Sequence, residues 1–158
     1  MTEKFMQLAL KEAKKALLVD EVPIGTVIVY DGKVIARAHN LTEKKQSATA
    51  HAEILAIEKA CKKLKSWRLD GCELYVTLEP CAMCAGAIAS SRIKKVYYGA
   101  SEPKSGCANS LYPILSNNGL NHTVQFEGGI LGEQCSKILK EYFKFKRTRE
   151  KRRKSIDY

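Results

Sequence analysis

The sequence predicts an α/β fold, a central mixed sheet with helices on both faces. Three observations lead there. Short β-rich segments alternate along the chain with segments of helical period. A tight two-residue turn, Asp31-Gly32, joins the first two β-rich runs as a hairpin. Further on, strand-like runs are separated by helix-length stretches, which is how parallel strands are connected.

Taken in order, Phe5, Leu8, Ala9, Ala13, Ala16 and Leu17 recur near helical spacing with lysines between them, so an amphipathic helix is expected over 2–18. Residues 22–30 are rich in Val and Ile and predict a strand, followed across the turn by a second over 33–38. The polar segment 40–49 reads as a loop. A second helix is expected over about 51–64, with Ile54, Leu55, Ile57, Ala60 and Cys61 on its apolar side. Leu74-Tyr75-Val76-Thr77-Leu78 is a strand and leads into a third helix over about 81–90; Val96-Tyr97-Tyr98-Gly99 is the next strand. Residues 101–123, rich in Gly, Asn, Ser and Pro, predict an irregular connection with a short helix around 109–116. A brief strand near 123–127 precedes Gly128-Gly129, and a last helix is expected over about 132–148, running into a basic tail. No internal repeat or linker divides residues 1–158, so one domain is expected, with a basic C-terminal helix and tail over about 132–158.

The charge is uneven. The formal net charge is +10, and ten Lys/Arg stand against three Asp/Glu from Lys137 onward, whereas the preceding residues are close to balanced. A basic arm on a nearly neutral body points to a polyanionic partner, the alternative being a solvated helix end. No apolar run approaches the ~20 residues of a membrane span, and residues 1–18 lack the apolar core of a signal peptide. A cytoplasmic protein without membrane association is expected, its six cysteines serving as thiols or metal ligands.

Two segments carry chemistry. Thr49-Ala50-His51-Ala52-Glu53 supplies a histidine with a glutamate two residues on; Glu79-Pro80-Cys81-Ala82-Met83-Cys84 supplies a Cys-x-x-Cys pair directly after a proline. His51, Cys81 and Cys84 make a three-ligand zinc site with a fourth position open to water. Glu53 is then an unliganded carboxylate beside the metal, suited to carrying protons. H-x-E followed by P-C-x-x-C is the signature of zinc nucleobase deaminases. Cys81 and Cys84 share a helix face, and Pro80 suits a helix start, so both sulfurs are expected at a helix N-terminus that favours thiolate. His51 and Glu53 lie roughly 200° apart on a helix. Both address one metal only if His51 sits at the very start of its helix.

A purely structural zinc site would need a fourth protein ligand, for which Cys61, Cys72, Cys107, Cys135, His39 and His122 are available. Glu53 has no use in such a site. The remaining cysteines read as packing thiols, His39 as a strand-end residue, His122 as a loop hydrogen-bonder, and Trp67 and the tyrosines as core. Other readings are a deaminase of free bases or nucleotides such as guanine or cytosine, and a non-catalytic zinc-stabilised RNA-binding module.

Beyond the metal motif, the chain resembles the bacterial tRNA-specific adenosine deaminases of the cytidine deaminase superfamily. The resemblance runs through 21–25, 38–40, 49–53, 66–69, 74–86, 91–93, 98–100 and Asn121-His122, nearly the whole length in order. It implies a three-layer α/β/α sandwich on a five-stranded mixed sheet, one zinc per subunit and a homodimer that jointly forms the anticodon site. It also implies hydrolytic conversion of adenosine to inosine at the wobble position of a tRNA anticodon stem-loop. By residue, it makes His51, Cys81 and Cys84 the zinc ligands, Glu53 the proton shuttle and Asn40 a contact to the target nucleotide. Glu102 stands where some relatives carry aspartate.

Overall fold

The computed structural model describes residues 1–116, 119 and 122–156. Asn121, part of the resemblance, lies outside the described residues. The elements are α1 (Thr2–Leu18), β1 (Gly25–Tyr30), β2 (Lys33–His39), α2 (Thr42–Lys45), α3 (Ala52–Leu64), β3 (Glu73–Leu78), α4 (Ala82–Ser90), β4 (Lys95–Ala100), β5 (Gln125–Glu127) and α5 (Gly132–Ile156).

The five strands form one mixed sheet in the order β2-β1-β3-β4-β5. β1 pairs antiparallel with both β2 and β3, while β3, β4 and β5 run parallel. The hairpin forms because Asp31 and Gly32 both take positive φ, 51° and 75°, the geometry that matches strand twist in a two-residue turn.

Strand periodicity sorts the side chains into two cores. Ile28, Leu74, Val76, Val96 and Tyr98 pack with Leu55 and Ile57 of α3 and Ile88 of α4. Their neighbours Val27, Val29, Tyr75 and Tyr97 point the other way, onto Phe5, Met6 and Leu10 of α1 and Cys135 of α5. The fold is therefore the three-layer α/β/α sandwich that the sequence led us to expect. Gly25 lets α1 close on the sheet: a Cβ there would collide with the Ala9 carbonyl and the Ala13 amide. Ile88 is fully buried, and its truncation to alanine is expected to cost about 2–5 kcal/mol.

Several sequence expectations change. β1 begins at Gly25, because Val22, Pro23 and Ile24 precede the ladder. The 40–49 loop contains the short helix α2, held by Glu21, whose carboxylate accepts the amides of Glu43 (3.3 Å) and Lys44 (2.6 Å). Turns replace the short helix expected at 109–116. α5 continues through Ile156, well past 148. Trp67 is not core: it is 62% exposed, with the Arg68 guanidinium 5.6 Å from its ring centre.

Because β3 and β4 are parallel, their C-terminal ends open at the same edge of the sheet. The first turn of α4 starts there, directly after β3, and the first turn of α3 comes to meet it.

Candidate metal and active site

His51 is the N-cap of α3 and Cys81 is the N-cap of α4. Each residue is extended in backbone (ψ 151° and 177°), so each projects from the mouth of its helix rather than along its side. This meets the condition that the His51–Glu53 spacing imposed. Pro80 accordingly precedes the cap instead of occupying the first helical turn; its carbonyl accepts the Cys107 amide at 2.7 Å.

The His51 Nδ1 lies 3.6 Å from the sulfur of Cys81 and 3.6 Å from that of Cys84. One ligand atom from each of the three residues falls within 4.8 Å of the others, and among the described residues no other group of three or more such donors forms. Cys61, Cys72, Cys107, Cys135, His39 and His122 do not join it. His39 Nδ1 pairs with Glu12 at 3.3 Å, and His122 Nε2 donates to the Ile93 carbonyl at 2.8 Å. The described cluster is thus an open three-donor set rather than a closed four-ligand one.

The electrostatics suit a cation. The Cys84 thiol hydrogen-bonds to Cys81 and, against the effect of burial, helps bring the Cys81 thiol down to about 4; the contact from His51 works in the same direction. The same bond pushes Cys84 up, with burial and the nearby Glu53 carboxylate adding to it. His51 is raised by its hydrogen bond to Cys81. Without metal, the trio therefore holds a Cys81 thiolate at neutral pH, stabilised by a Cys84 thiol and an imidazole. A borderline-soft divalent cation such as zinc fits this donor set, replacing the Cys84 proton.

Glu53, in the first turn of α3, is only 4% exposed, and burial raises its carboxyl above the ordinary range, the Cys81 thiolate adding to the effect. A carboxyl that takes up a proton readily, beside a cation site, is poised for proton transfer. Asn40 is buried just after β2, and its Oδ1 accepts the Ala52 amide at 3.0 Å, satisfying a free N–H at the start of α3. Its role as a helix anchor was not visible in the sequence.

His51, Glu53, Asn40 and Cys81 line a cavity of about 660 Å³. Glu79, Ser101, Glu102 and Ser105 contribute from the loop side, and Lys140, Phe143, Lys146 and Arg147 from α5. The α5 residues recur at helical spacing, so one stripe of this basic helix borders the cavity. Tyr142 Oη donates to the Asp20 carbonyl (3.4 Å) and Arg149 pairs with the Asp20 carboxylate (3.1 Å), fastening α5 to the turn after α1. No helix among the described residues is long and apolar enough to cross a membrane.

A three-layer sandwich with His and Cys-x-x-Cys donors converging at two helix mouths defines a deaminase of the cytidine deaminase-like class. The family model for MafB19-like deaminases matches residues 1–147. A tRNA-specific adenosine deaminase of Bacillus subtilis is 50% identical over 149 residues, covering 94% of this chain and 92% of the relative. A solved tRNA:A34 deaminase, described in work on A-to-I editing at the wobble position of transfer RNA, is 48% identical with a TM-score of 0.83; the match covers 86% of this chain and 99% of that one. A guanine deaminase of Bacillus subtilis also matches, at 44% identity and a TM-score of 0.60, over 63% of this chain and 64% of its own. The chain belongs to the tRNA-specific adenosine deaminase family, and it is an enzyme.

Proposed function

We propose that the chain, acting as a single deaminase domain over residues 1–158, hydrolytically deaminates adenosine to inosine at the wobble position of a tRNA anticodon. The observation that carries this reading is the His51, Cys81 and Cys84 cluster, set beside buried Glu53 in a cavity bordered by a basic helix. His51, Cys81 and Cys84 would hold one zinc ion per subunit. When bound, zinc supplies the Lewis acidity that makes water nucleophilic near neutral pH.

The residues of the chain do the rest. Glu53 takes a proton from the attacking water, delivers it to N1 of adenine as C6 is attacked, and passes a proton to the departing amine. Its burial keeps bulk water from competing for that proton. Asn40, anchored by Oδ1 to α3, has no other protein partner among the described residues for its side-chain amide, which would hydrogen-bond the target nucleotide. Lys140, Lys146 and Arg147 would meet the phosphates that flank the target, and Phe143 would offer a ring to a neighbouring base. A loop nucleotide is already unpaired, so turning it out into the cavity costs less than flipping a base from a duplex.

Deamination of a free base would use the same metal chemistry, and the chain is also similar to a guanine deaminase. The basic stripe of α5 beside the cavity favours a polyanionic substrate instead. A homodimer and a cytoplasmic location complete the proposal. Replacing Glu53 by alanine tests the mechanism: the variant is expected to keep the wild-type zinc content while inosine formation on a stem-loop falls ~10²–10⁴-fold or more. Near-normal turnover would place the proton role elsewhere.

A further inference from the structure

Glu79 is 2% exposed and immediately precedes the Pro80-Cys81 turn, yet it makes no ion pair among the described residues. Its acceptors all serve one loop. Oε1 takes the Glu102 amide (3.1 Å) and the Ser110 hydroxyl. Oε2 takes the amides of Ala108 (3.2 Å), Asn109 (2.9 Å) and Ser110 (2.9 Å). The loop wraps the carboxylate so closely that a Cβ on Gly106 would lie 2.5 Å from the Glu79 Cδ. The Cys107 amide ties the same loop to the Pro80 carbonyl. Ser101, Glu102 and Ser105, where this loop begins, form part of the cavity wall.

We infer that Glu79 is a positioning residue, a buried anion that holds the 102–110 loop as the wall against which the target nucleotide is placed over His51, Cys81 and Cys84. The inference rests on the deaminase reading above. The donors explain why a carboxylate stands there. Four backbone amides and a hydroxyl converge on it, and an uncharged carboxamide can offer only one oxygen. In Glu79→Gln that oxygen serves the three amides of 108–110, and the side-chain NH2 turns towards the Glu102 amide, a donor facing a donor. The wall therefore comes loose at Glu102, its cavity end, while the metal turn keeps its own sequence and its Cys107 tie.

The test combines hydrogen exchange, metal content and kinetics on full-length Glu79→Gln. The variant is expected to bind zinc as wild type does and to keep the α4 amides protected. Protection of the Glu102 amide should fall at least tenfold. Turnover of an anticodon stem-loop per bound zinc should also fall at least tenfold, with the dissociation constant of the RNA within about threefold of wild type. A merely stabilising residue would instead loosen α4 and the loop together and leave kcat per bound zinc unchanged, which would overturn the inference. So would wild-type loop protection and turnover within twofold. If Glu79→Gln does not fold, Glu79→Asp, which keeps the charge but draws the carboxylate back by one methylene, should speed exchange at Glu102 at least threefold; no change there would equally overturn it. If the wild-type protein deaminates no stem-loop, the deaminase reading fails, and the exchange data still decide whether Glu79 holds the loop.

Discussion

Consider a chain ending at Arg149, which removes the last turns of α5. Those turns carry Lys151, Arg152, Arg153 and Lys154, all exposed, together with Glu150; the deleted residues also include Asp157, which lies outside the described residues. The truncation leaves Arg147 beside the cavity and keeps the Arg149–Asp20 pair at 3.1 Å and the Tyr142–Asp20 hydrogen bond at 3.4 Å. At about 1.5 Å per residue the lost turns reach roughly 10 Å past Arg149, enough to follow an RNA strand beyond the target nucleotide. The four cations are spread around the helix at about 100° steps, so two or three can face one strand. Each lost phosphate contact lowers the salt slope by about 0.7–0.9, so the slope of log K against log salt should shrink by about 2. Between 50 and 200 mM salt, wild type should therefore lose about 16-fold more affinity than the truncated chain. Fluorescence anisotropy of a labelled stem-loop across that range measures both slopes. Turnover of bound RNA should be nearly unchanged. Equal slopes would show that the distal turns are solvated surface and would refute the phosphate-gripping role.

Four further outcomes are expected. Cys81→Ser and Cys84→Ser should each lose zinc, whereas Cys61→Ser and Cys135→Ser should retain it; full metal occupancy in either of the first pair contradicts the ligand assignment. In metal-free protein near pH 6–7, Cys81 should alkylate first, since its thiol is brought down to about 4 while burial carries Cys72 up to about 11 and Cys135 up to about 12. That selectivity should vanish as pH falls through about 4 and the Cys81 thiolate protonates. Zinc uptake at neutral pH should release at least one proton, from Cys84, measurable by calorimetry in buffers of different ionisation enthalpy. Asn40→Ala should destabilise the fold by about 1–3 kcal/mol in denaturant titration, because the Ala52 amide loses its buried acceptor; a purely substrate-facing Asn40 would leave stability unchanged.

The layers of the fold were legible because side-chain periodicity alone sorts them. Val27 and Val29 against Ile28, and Tyr75 against Leu74 and Val76, go to opposite faces as strand alternation requires. Convergence of His51 with Cys81 and Cys84 was legible through motif spacing, and its geometry depends on two caps that the spacing allowed without specifying. What sequence reasoning missed depends on long-range contacts. Glu79 and Glu21 look like ordinary acidic residues beside a motif, and nothing local shows that each is buried against the amides of a distant segment. Residue type places Trp67 in the core, but it sits in the irregular 66–70 segment, 62% exposed beside the Arg68 guanidinium. The Ser- and Pro-rich composition around 101–116 concealed an ordered wall, because its order comes from the Glu79 carboxylate rather than from repeating backbone bonds. α5 outran its expected end since its distal turns are polar all round and carry no apolar period to extend the reading.

The central claim is deamination of an adenosine presented in an anticodon loop. Its most direct measurement is mass spectrometry of the nucleosides released after the zinc-loaded protein is incubated with a panel of anticodon stem-loops, and separately with free adenosine, cytidine and guanine. The account predicts inosine at the wobble adenosine of a stem-loop, with free adenosine converted far more slowly and cytidine and guanine untouched. Efficient deamination of a free base or nucleoside, with no inosine in any stem-loop, would contradict it.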